Sequence, residues 1–289
     1  MDERVGHEPF SDATLVWDGE PMRGSEEPDP DAIPPSEIEP IEPGRITMRF
    51  RETNQQLVSM PWEKPLVQWA GPDIEFVDLP VGASRHTVRF AIVDGHIIAL
   101  KELPMAVGQQ EYDVLRELES KGAPSVKSYG LVTRTGDDSA IILTRYLSRS
   151  FQFRRLFMRL PEGASRYRDK LLDSMAGLLV EIHRMGMFWG DCSLGNTLLM
   201  RDGQRLQAYL VDGETSELYD RISDGQRAAD IEIAIENVAG DLADMGVMNG
   251  KSMEEMDDDF EAAMSIRDRY ERLWSVLHGD VTIRPDKQH

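Results

Sequence analysis

The sequence has a single cysteine, Cys192, among its 289 residues, and its six histidines lack the spacing of metal ligands. One thiol excludes a disulfide framework and a zinc site held by several cysteines. No apolar run approaches the roughly 18 residues of a membrane-spanning helix. The charged N-terminus MDERVGHEPF does not fit a secretory signal. We therefore expect a soluble, cytoplasmic protein.

Positive charge is also scarce, with 32 Lys and Arg against 52 Asp and Glu, a net charge of −20. Such a charge opposes binding to nucleic acid or to an anionic membrane. The acids are concentrated in two blocks: residues 1–45 carry 13 acidic and 3 basic side chains, and residues 212–261 carry 16 and 3. Residues 46–211 are nearly neutral, with 19 acidic and 21 basic side chains. The acidity therefore does not argue against a bound nucleotide.

The first acidic block predicts a disordered arm over residues 1–45. Its segment 24–45 holds six prolines and seven acids, too little apolar surface to offset the entropy of ordering. Leu15, Val16 and Trp17 could form a short docking element within the arm.

A basic stretch interrupts the neutral region, because residues 145–170 hold eight basic and two acidic side chains. It is either a solvated face that balances the acidic blocks or a docking site for an acidic or phosphorylated acceptor. A further hypothesis is that the acidic arm folds back on this stretch and screens it.

Hydrophobic periodicity predicts a β-rich first lobe over residues 46–148. Alternation over 74–79 and 87–93, followed by an apolar run at 96–100, indicates a three-stranded antiparallel meander with a hairpin at Asp94-Gly95. A helix is predicted over 108–122, and two more strands over 131–133 and 140–144.

Residues 149–289 predict a mostly α-helical second lobe. An amphipathic helix is expected over 166–187, because its apolar residues recur at helical spacing. A hairpin follows at 197–200 and 207–211, and further helices at 226–246 and 254–278. The fold class predicted from these elements is α+β, with two lobes.

Five polar residues lie at predicted element edges. Lys101 ends a strand, Glu111 lies in the first turn of the next helix, and the loop GDCSLGNTLL holds Asp191 and Asn196; Asp212 follows a later strand. Phosphoryl transfer needs such groups: a lysine oriented by a carboxylate for the phosphates, oxygen donors for Mg²⁺, and an aspartate for the acceptor hydroxyl. Singly each residue is usually a surface ion pair, a turn former or a cap. The ordered set favours a kinase.

This order, with GDxxxxN in the loop, resembles the protein-kinase-like superfamily. The sequence around these residues is most similar to an uncharacterised actinobacterial domain family related to the lipopolysaccharide (Kdo) kinases. The likeness is carried by the stretches MPWEKPLVQWA, RHTVRF, ALKELP, QEYDVLRELE, ILTRYLSRSF, FWGDCSLGNTLL, AYLVDGETSEL and GQRAADIEIAIENVAGDL. The resemblance implies a bilobal kinase-like fold and an ATP- and Mg²⁺-dependent phosphotransferase acting on a hydroxyl of a small molecule or glycan.

The resemblance also implies roles for individual residues. Asp191 would be the catalytic base, and Lys101 would bind phosphate with Glu111 as its ion-pair partner. Asn196 and Asp212 would hold the metal. Arg145 and Tyr146 would lie in the hinge beside adenine.

Several departures from the kinase pattern qualify these roles. The phosphate-covering stretch 81–86 keeps a single glycine, so Arg85 and His86 could contribute side-chain contacts instead, or form a solvated turn. Ser193 stands where protein kinases have a lysine. Gly213 and Glu214 follow Asp212, which makes Glu214 a candidate extra metal ligand. These differences favour a small acceptor over a protein substrate.

The same differences keep two other interpretations open. One is a pseudokinase-like regulatory or interaction module that binds a nucleotide without turnover. The other is a purely structural scaffold. In the helix over 226–246, Asp230 and Asn237 could support the catalytic loop, whereas Glu232, Glu236 and Asp241 are expected on a solvated face. Cys192 is expected to be a buried small side chain.

Overall fold

The computed structural model describes residues 13–18, 44–52, 55–71, 74–81, 84–160, 165–203 and 205–278. The chain forms two compact units. The first consists of Met1–Tyr112 and Ser128–Tyr146, and the second of Asp113–Lys127 and Leu147–His289. The arm 1–45, which is predicted to be disordered and to screen the basic stretch, lies outside the described ranges except for 13–18 and 44–45.

The first unit is built on an antiparallel sheet of seven strands in the order β1-β2-β6-β7-β5-β4-β3. The strands are β1 (Ala13–Asp18), β2 (Arg45–Phe50), β3 (Phe76–Val77), β4 (Thr87–Val93), β5 (His96–Pro104), β6 (Ser128–Arg134) and β7 (Ser139–Arg145). A short helix α1 (Gln55–Val58) precedes β3, and α2 (Met105–Ser120) follows β5. The predicted antiparallel strands are confirmed.

The hairpin between β4 and β5 is the predicted one. Val93 pairs with His96 across the turn, where Asp94 and Gly95 have φ angles of 49° and 72°. Both residues adopt the left-handed conformation that an Asp-Gly hairpin turn requires.

Two details near the candidate lysine differ from the prediction. β5 continues to Pro104, so Lys101 lies inside a strand rather than at its end. Helix α2 begins at Met105, and Glu111 is therefore in its second turn. The helix starts early because the Met105 N–H donates to Asp138 O at 3.0 Å, which satisfies one N-terminal donor.

Two strands of this sheet were not predicted, namely β1 and β2. The structure places Leu15, Val16 and Trp17 in β1, which pairs with β2. β2 in turn pairs with β6, more than 80 residues later in the sequence: Ile46 is opposite Arg134. Strands that pair across so many residues leave no local sequence pattern from which the pairing could be predicted.

The segment between β2 and β3 covers one face of the sheet with buried aromatic rings. Trp62 and Trp69 pack edge to face with ring centroids 4.9 Å apart, and Phe50 lies 5.7 Å from Trp62. The indole N–H groups donate to Leu57 O and Lys64 O. Aromatic side chains with satisfied N–H groups make this face the core of the first unit.

The second unit is mostly helical. Its helices are α3 (Phe153–Met158), α4 (Ser165–Arg184), α5 (Asp224–Met248) and α6 (Met253–His278), and its short strands are β8 (Phe151–Gln152), β9 (Met187–Phe188), β10 (Thr197–Asp202), β11 (Arg205–Leu210) and β12 (Glu217–Leu218). The three long helices and the β10–β11 hairpin confirm the prediction. Of the described helices, none combines the length and apolarity needed to cross a membrane.

The predicted apolar stripe of α4 is buried throughout. Its members Leu171, Leu172, Met175, Leu178, Leu179 and Ile182 are all at most 1% exposed. The stripe is therefore core, as its helical spacing indicated.

A glycine substitution tests the packing of the sheet. A Cβ at Gly130 in β6 would lie 2.7 Å from Arg49 O and 2.6 Å from the Phe50 ring, so the backbone must shift. We expect Gly130→Ala to lower the free energy of unfolding by about 1–3 kcal/mol. The matched control is Gly177→Ala in α4, where a Cβ meets no atom within 4 Å and the gain in helix propensity is about 0.5–1 kcal/mol. Urea unfolding measures both, and equal effects would contradict the prediction.

Candidate active site

In the first unit, β5 and α2 bring together Lys101 and Glu111. The Lys101 Nζ lies 3.1 Å from Glu111 Oε2, and the two side chains are 13% and 2% exposed. Lys101 is held in register between Val88 of β4 and Ile142 of β7. The pair is thus buried, unlike the surface ion pair that each residue alone would predict.

Four other candidate residues of the first unit lie at the ends of strands of the same sheet. Arg85 and His86 are in the turn before β4, where the Ser84 hydroxyl both accepts from His86 N and donates to His86 O. Arg145 ends β7 opposite Ile98. The Tyr146 N–H donates to Ile97 O at 3.0 Å, and its ring packs edge-on against Phe90.

In the second unit, the loop between β9 and β10 brings Asp191 and Asn196 together. The Asn196 Nδ2 donates to Asp191 Oδ2 at 2.8 Å and to Asp191 O at 3.1 Å. An amide NH₂ group has two hydrogens, and both are used here. The acceptor oxygen Oδ1 of Asn196 is left as the atom that could bind a cation.

Helix α5 holds this loop with three side chains of one helical face. Asp230 accepts the backbone N–H groups of Trp189 and Gly190 at 2.7 and 2.8 Å. The Asn237 Nδ2 donates to Asp191 Oδ1 at 3.1 Å, and Asp241 accepts from Leu194 N at 2.9 Å. Spacings of seven and four residues put these side chains on the same side of a helix.

The position of Asp241 corrects one sequence interpretation. It was expected on a solvated face, but its side chain is 17% exposed and its Oδ1 lies 3.5 Å from Arg154 Nη1. Burial raises the pKa of the Asp241 carboxyl, against the opposing effects of the Leu194 N–H and Arg154. The spacing from Asp230 was the signal that could have identified it.

Asp212 and Glu214 lie in a turn tied to the same loop. The Glu214 N–H donates to Asp212 Oδ1 at 3.1 Å, and the buried Trp189 indole donates to Asp212 O at 2.9 Å. Trp189 O in turn accepts the hydroxyl of Thr215 at 2.9 Å. Trp189 therefore fixes the segment that carries Asp212 relative to the segment that carries Asp191.

A buried hydrogen-bond chain behind the loop was not foreseen. His183 Nε2 lies 2.9 Å from Asp230 Oδ2, and His183 Nδ1 lies 2.8 Å from the Tyr270 hydroxyl. Arg227 Nη1 donates to the same hydroxyl at 3.2 Å. Because an ionised carboxylate can only accept, His183 donates its Nε2–H to Asp230, and the Nδ1 of the neutral imidazole then accepts the Tyr270 O–H. Burial raises the pKa of Tyr270 to about 12, so the phenol keeps its proton at neutral pH.

Ser193, which marks a departure from protein kinases, and its neighbour Cys192 both have structural roles. The Ser193 hydroxyl accepts from Asn196 N at 3.2 Å, and Ser193 O accepts the Thr197 hydroxyl at 2.8 Å, which closes the turn of the loop. Cys192 is fully buried, and burial raises the pKa of its thiol well above the usual value. The interpretation of Cys192 as an inert buried side chain is confirmed.

The basic stretch 145–170 is partly neutralised by the second acidic block. Arg154 pairs with Asp241, and Arg168 lies 3.7 Å from Asp259 of α6. Arg155, Arg159, Arg166 and Lys170 are exposed. The stretch therefore combines paired structural arginines with exposed basic side chains.

Removal of Asp230 tests how the loop is held. Asp230→Ala leaves three donors without their acceptor, two of them buried and that of Gly190 partly buried, at about 1–3 kcal/mol each, so we expect a loss of about 3 kcal/mol or more in stability. Amide exchange at Trp189 and Gly190 should accelerate by at least about tenfold. The control is Glu232→Ala on the exposed side of α5, whose ion pair with Arg267 contributes about 0–1 kcal/mol. Unchanged exchange at these two amides would contradict the geometry.

Comparison with known proteins gives the family context. Residues 96–233, which include Lys101, Glu111, Asp191, Asn196 and Asp212, match the model of the lipopolysaccharide kinase (Kdo/WaaP) family. A structure of WaaP in complex with acyl carrier protein is similar, with a TM-score of 0.43 and 17% identity over 69% of this chain and 88% of that chain. No curated protein matches the sequence. The resemblance to the lipopolysaccharide kinases expected from the sequence is confirmed: the chain is an α+β protein of two units and is similar to the lipopolysaccharide kinase (Kdo/WaaP) family over residues 96–233.

Proposed function

We propose that this protein is an ATP·Mg²⁺-dependent phosphotransferase that phosphorylates a hydroxyl group of a small molecule or glycan. The observation that carries the proposal is the hydrogen bonding of Asp191, whose two carboxylate oxygens each accept one amide N–H, from Asn196 and from Asn237. A carboxylate held in this way has a fixed direction and keeps lone pairs for a further proton. The family match supports a kinase-like phosphotransferase.

Asp191 acts on the acceptor in this mechanism. Its carboxylate accepts the proton of the acceptor hydroxyl while the hydroxyl oxygen bonds to the γ-phosphorus, and the bond from that phosphorus to the β-phosphate oxygen breaks. The products are the phosphorylated acceptor and ADP. Correct placement of the base is the main contribution of the protein to such a transfer.

Lys101 provides the fixed positive charge for the α- and β-phosphates of the nucleotide. Glu111 holds the ammonium group at 3.1 Å, and the pair is buried. Burial strengthens the interaction of the lysine with phosphate oxygens, because less water screens the charge. Arg145 and Tyr146 form the hinge beside the adenine, where the Tyr146 carbonyl is the backbone group on offer because its N–H donates to Ile97 O. Arg85 and His86 contribute side chains over the phosphates.

The donor set in the second unit fits Mg²⁺. Asn196 Oδ1, Asp212 and Glu214 offer hard oxygen atoms, which are the ligands that Mg²⁺ prefers. The Nδ2 of Asn196 donates to Asp191, so its oxygen Oδ1 is the amide atom that can bind the cation. Mg²⁺ bound there would supply charge neutralisation at the phosphate oxygens.

The acceptor in this proposal is acidic or phosphorylated. Arg155, Arg159, Arg166 and Lys170 are exposed in the second unit, and guanidinium groups bind phosphate and carboxylate oxygens in pairs. Part of the negative charge of residues 212–261 is neutralised by ion pairs within the second unit, among them Asp241 with Arg154.

A second candidate function is a regulatory module that binds a nucleotide without turnover. It is favoured by the stretch 81–86, which retains one glycine where kinases carry a glycine-rich loop. A side chain on the backbone limits how closely amide groups approach phosphates.

Nucleotide binding and turnover separate the two functions. ATP with Mg²⁺ at 100 times its dissociation constant should add about 2.7 kcal/mol, or about 5–10 °C in Tm for a chain of this size. Lys101→Met and Asp212→Ala should each abolish this shift. Asp191→Asn should keep the shift but lower phosphate release or transfer by at least about 100-fold.

The matched control is Asp258→Asn, an exposed aspartate of α6, which should change neither the shift nor the turnover. Stabilisation without turnover in the wild type would overturn the phosphotransferase and favour the regulatory module. The absence of any nucleotide-dependent shift would exclude both functions.

A further inference from the structure

We propose that Asn237 of α5 is a positioning residue for the catalytic step: it fixes the Asp191 carboxylate from outside the loop. This inference rests on the proposed function, in which Asp191 is the base. Asn237 lies outside residues 96–233, the segment that matches the family model, and its contribution follows from contacts within the second unit.

The contacts of Asn237 use both of its amide hydrogens. Its Nδ2 lies 3.1 Å from Asp191 Oδ1 and 3.3 Å from Cys192 O. Asn196 binds the other carboxylate oxygen, Oδ2, at 2.8 Å. Each oxygen of the base is therefore held by an amide from a different element, one within the loop and one on α5.

The rigidity of this arrangement comes from the two anchors on either side of Asn237. Asp230, seven residues before it, binds the loop at Trp189 and Gly190, and Asp241, four residues after it, binds the loop at Leu194. A residue between two fixed points of the same helix cannot move away from the loop without breaking one of them. Asn237 thus transmits the position of α5 to the carboxylate itself.

A neutral amide is suited to this place. The amide must present nitrogen to Asp191, because an amide oxygen beside a carboxylate oxygen would repel it. The N–H bond orients the carboxylate without the full charge of a lysine or arginine, which would stabilise the ionised form further and weaken it as a base. An acid at this position would do the reverse and favour the protonated form.

The other charged and titratable groups around the loop are already matched. Asp230 accepts from His183 and from two backbone amides. Asp241 faces Arg154 and the Leu194 N–H. Cys192 stays a neutral thiol, because burial raises its pKa. A carboxylate introduced at position 237 would therefore have Asp191 as its nearest new neighbour.

Two substitutions test the inference, Asn237→Ala and Asn237→Asp. Asn237→Ala removes the donor, and we expect kcat to fall by about 10- to 100-fold while KM for ATP stays within about twofold of the wild type. In Asn237→Asp a carboxylate would stand beside Asp191 in place of the N–H donor, so kcat should fall at least as far as in Asn237→Ala. The matched control is Glu236→Gln, the exposed neighbour on α5, with no change expected.

A readout that is independent of turnover separates this inference from the proposed function. Carbon-13 NMR of the aspartate carboxyl groups at one fixed pH reports the hydrogen bonding of Asp191 in the intact protein, and the Asp191 resonance should shift in Asn237→Ala but not in Glu236→Gln. If it does so in a protein without turnover, the contact stands and only the phosphotransferase fails. An unshifted Asp191 resonance, or a wild-type kcat in Asn237→Ala with only a lower Tm, would overturn the inference.

Discussion

The second unit depends on the hydrogen bonds between the polar face of α5 and the backbone of the loop 189–196. This loop has no regular secondary structure between β9 and β10, so its N–H groups need side-chain acceptors. Asp230 and Asp241 supply them, while Asn237 binds the side chain of Asp191. The loop can hold a defined shape because a 25-residue helix, itself packed against α6, holds it at three points.

The net charge of −20 has a different meaning once these contacts are known. The block 212–261 contains the acceptors of the loop and the partners of basic side chains, since Asp259 is buried and pairs with Lys251 and Arg168. Some of its acids are therefore structural groups with satisfied hydrogen bonds, rather than a solvated surface. The pair of Lys101 and Glu111 is also a structural group rather than a surface one. Lysine–glutamate ion pairs are common on protein surfaces, but burial of this pair excludes water and strengthens the attraction between its two charges.

Much of the fold followed from local patterns. The meander, the hairpin at Asp94-Gly95 and the long helices were predictable, because turn chemistry and hydrophobic periodicity act over a few residues. The strands β1 and β2 were not predicted, since β2 finds its partner β6 far along the chain. The early start of α2 was also missed. It depends on a hydrogen bond from the Met105 N–H to Asp138 O, and the sequence of the helix alone gives no sign of this contact.

For the candidate site, the sequence by itself determined which groups are present and in what order: the lysine, the carboxylates and the asparagine of a kinase-like set. It could do so because their chemistry and their spacing relative to local elements are properties of the chain. Only the tertiary structure decided which of the acids of α5 face the loop, that His183 and Tyr270 stand behind Asp230, and that Asn237 contacts Asp191. These contacts join residues about 40 or more positions apart, and their formation requires the packing of whole helices, which no local pattern encodes.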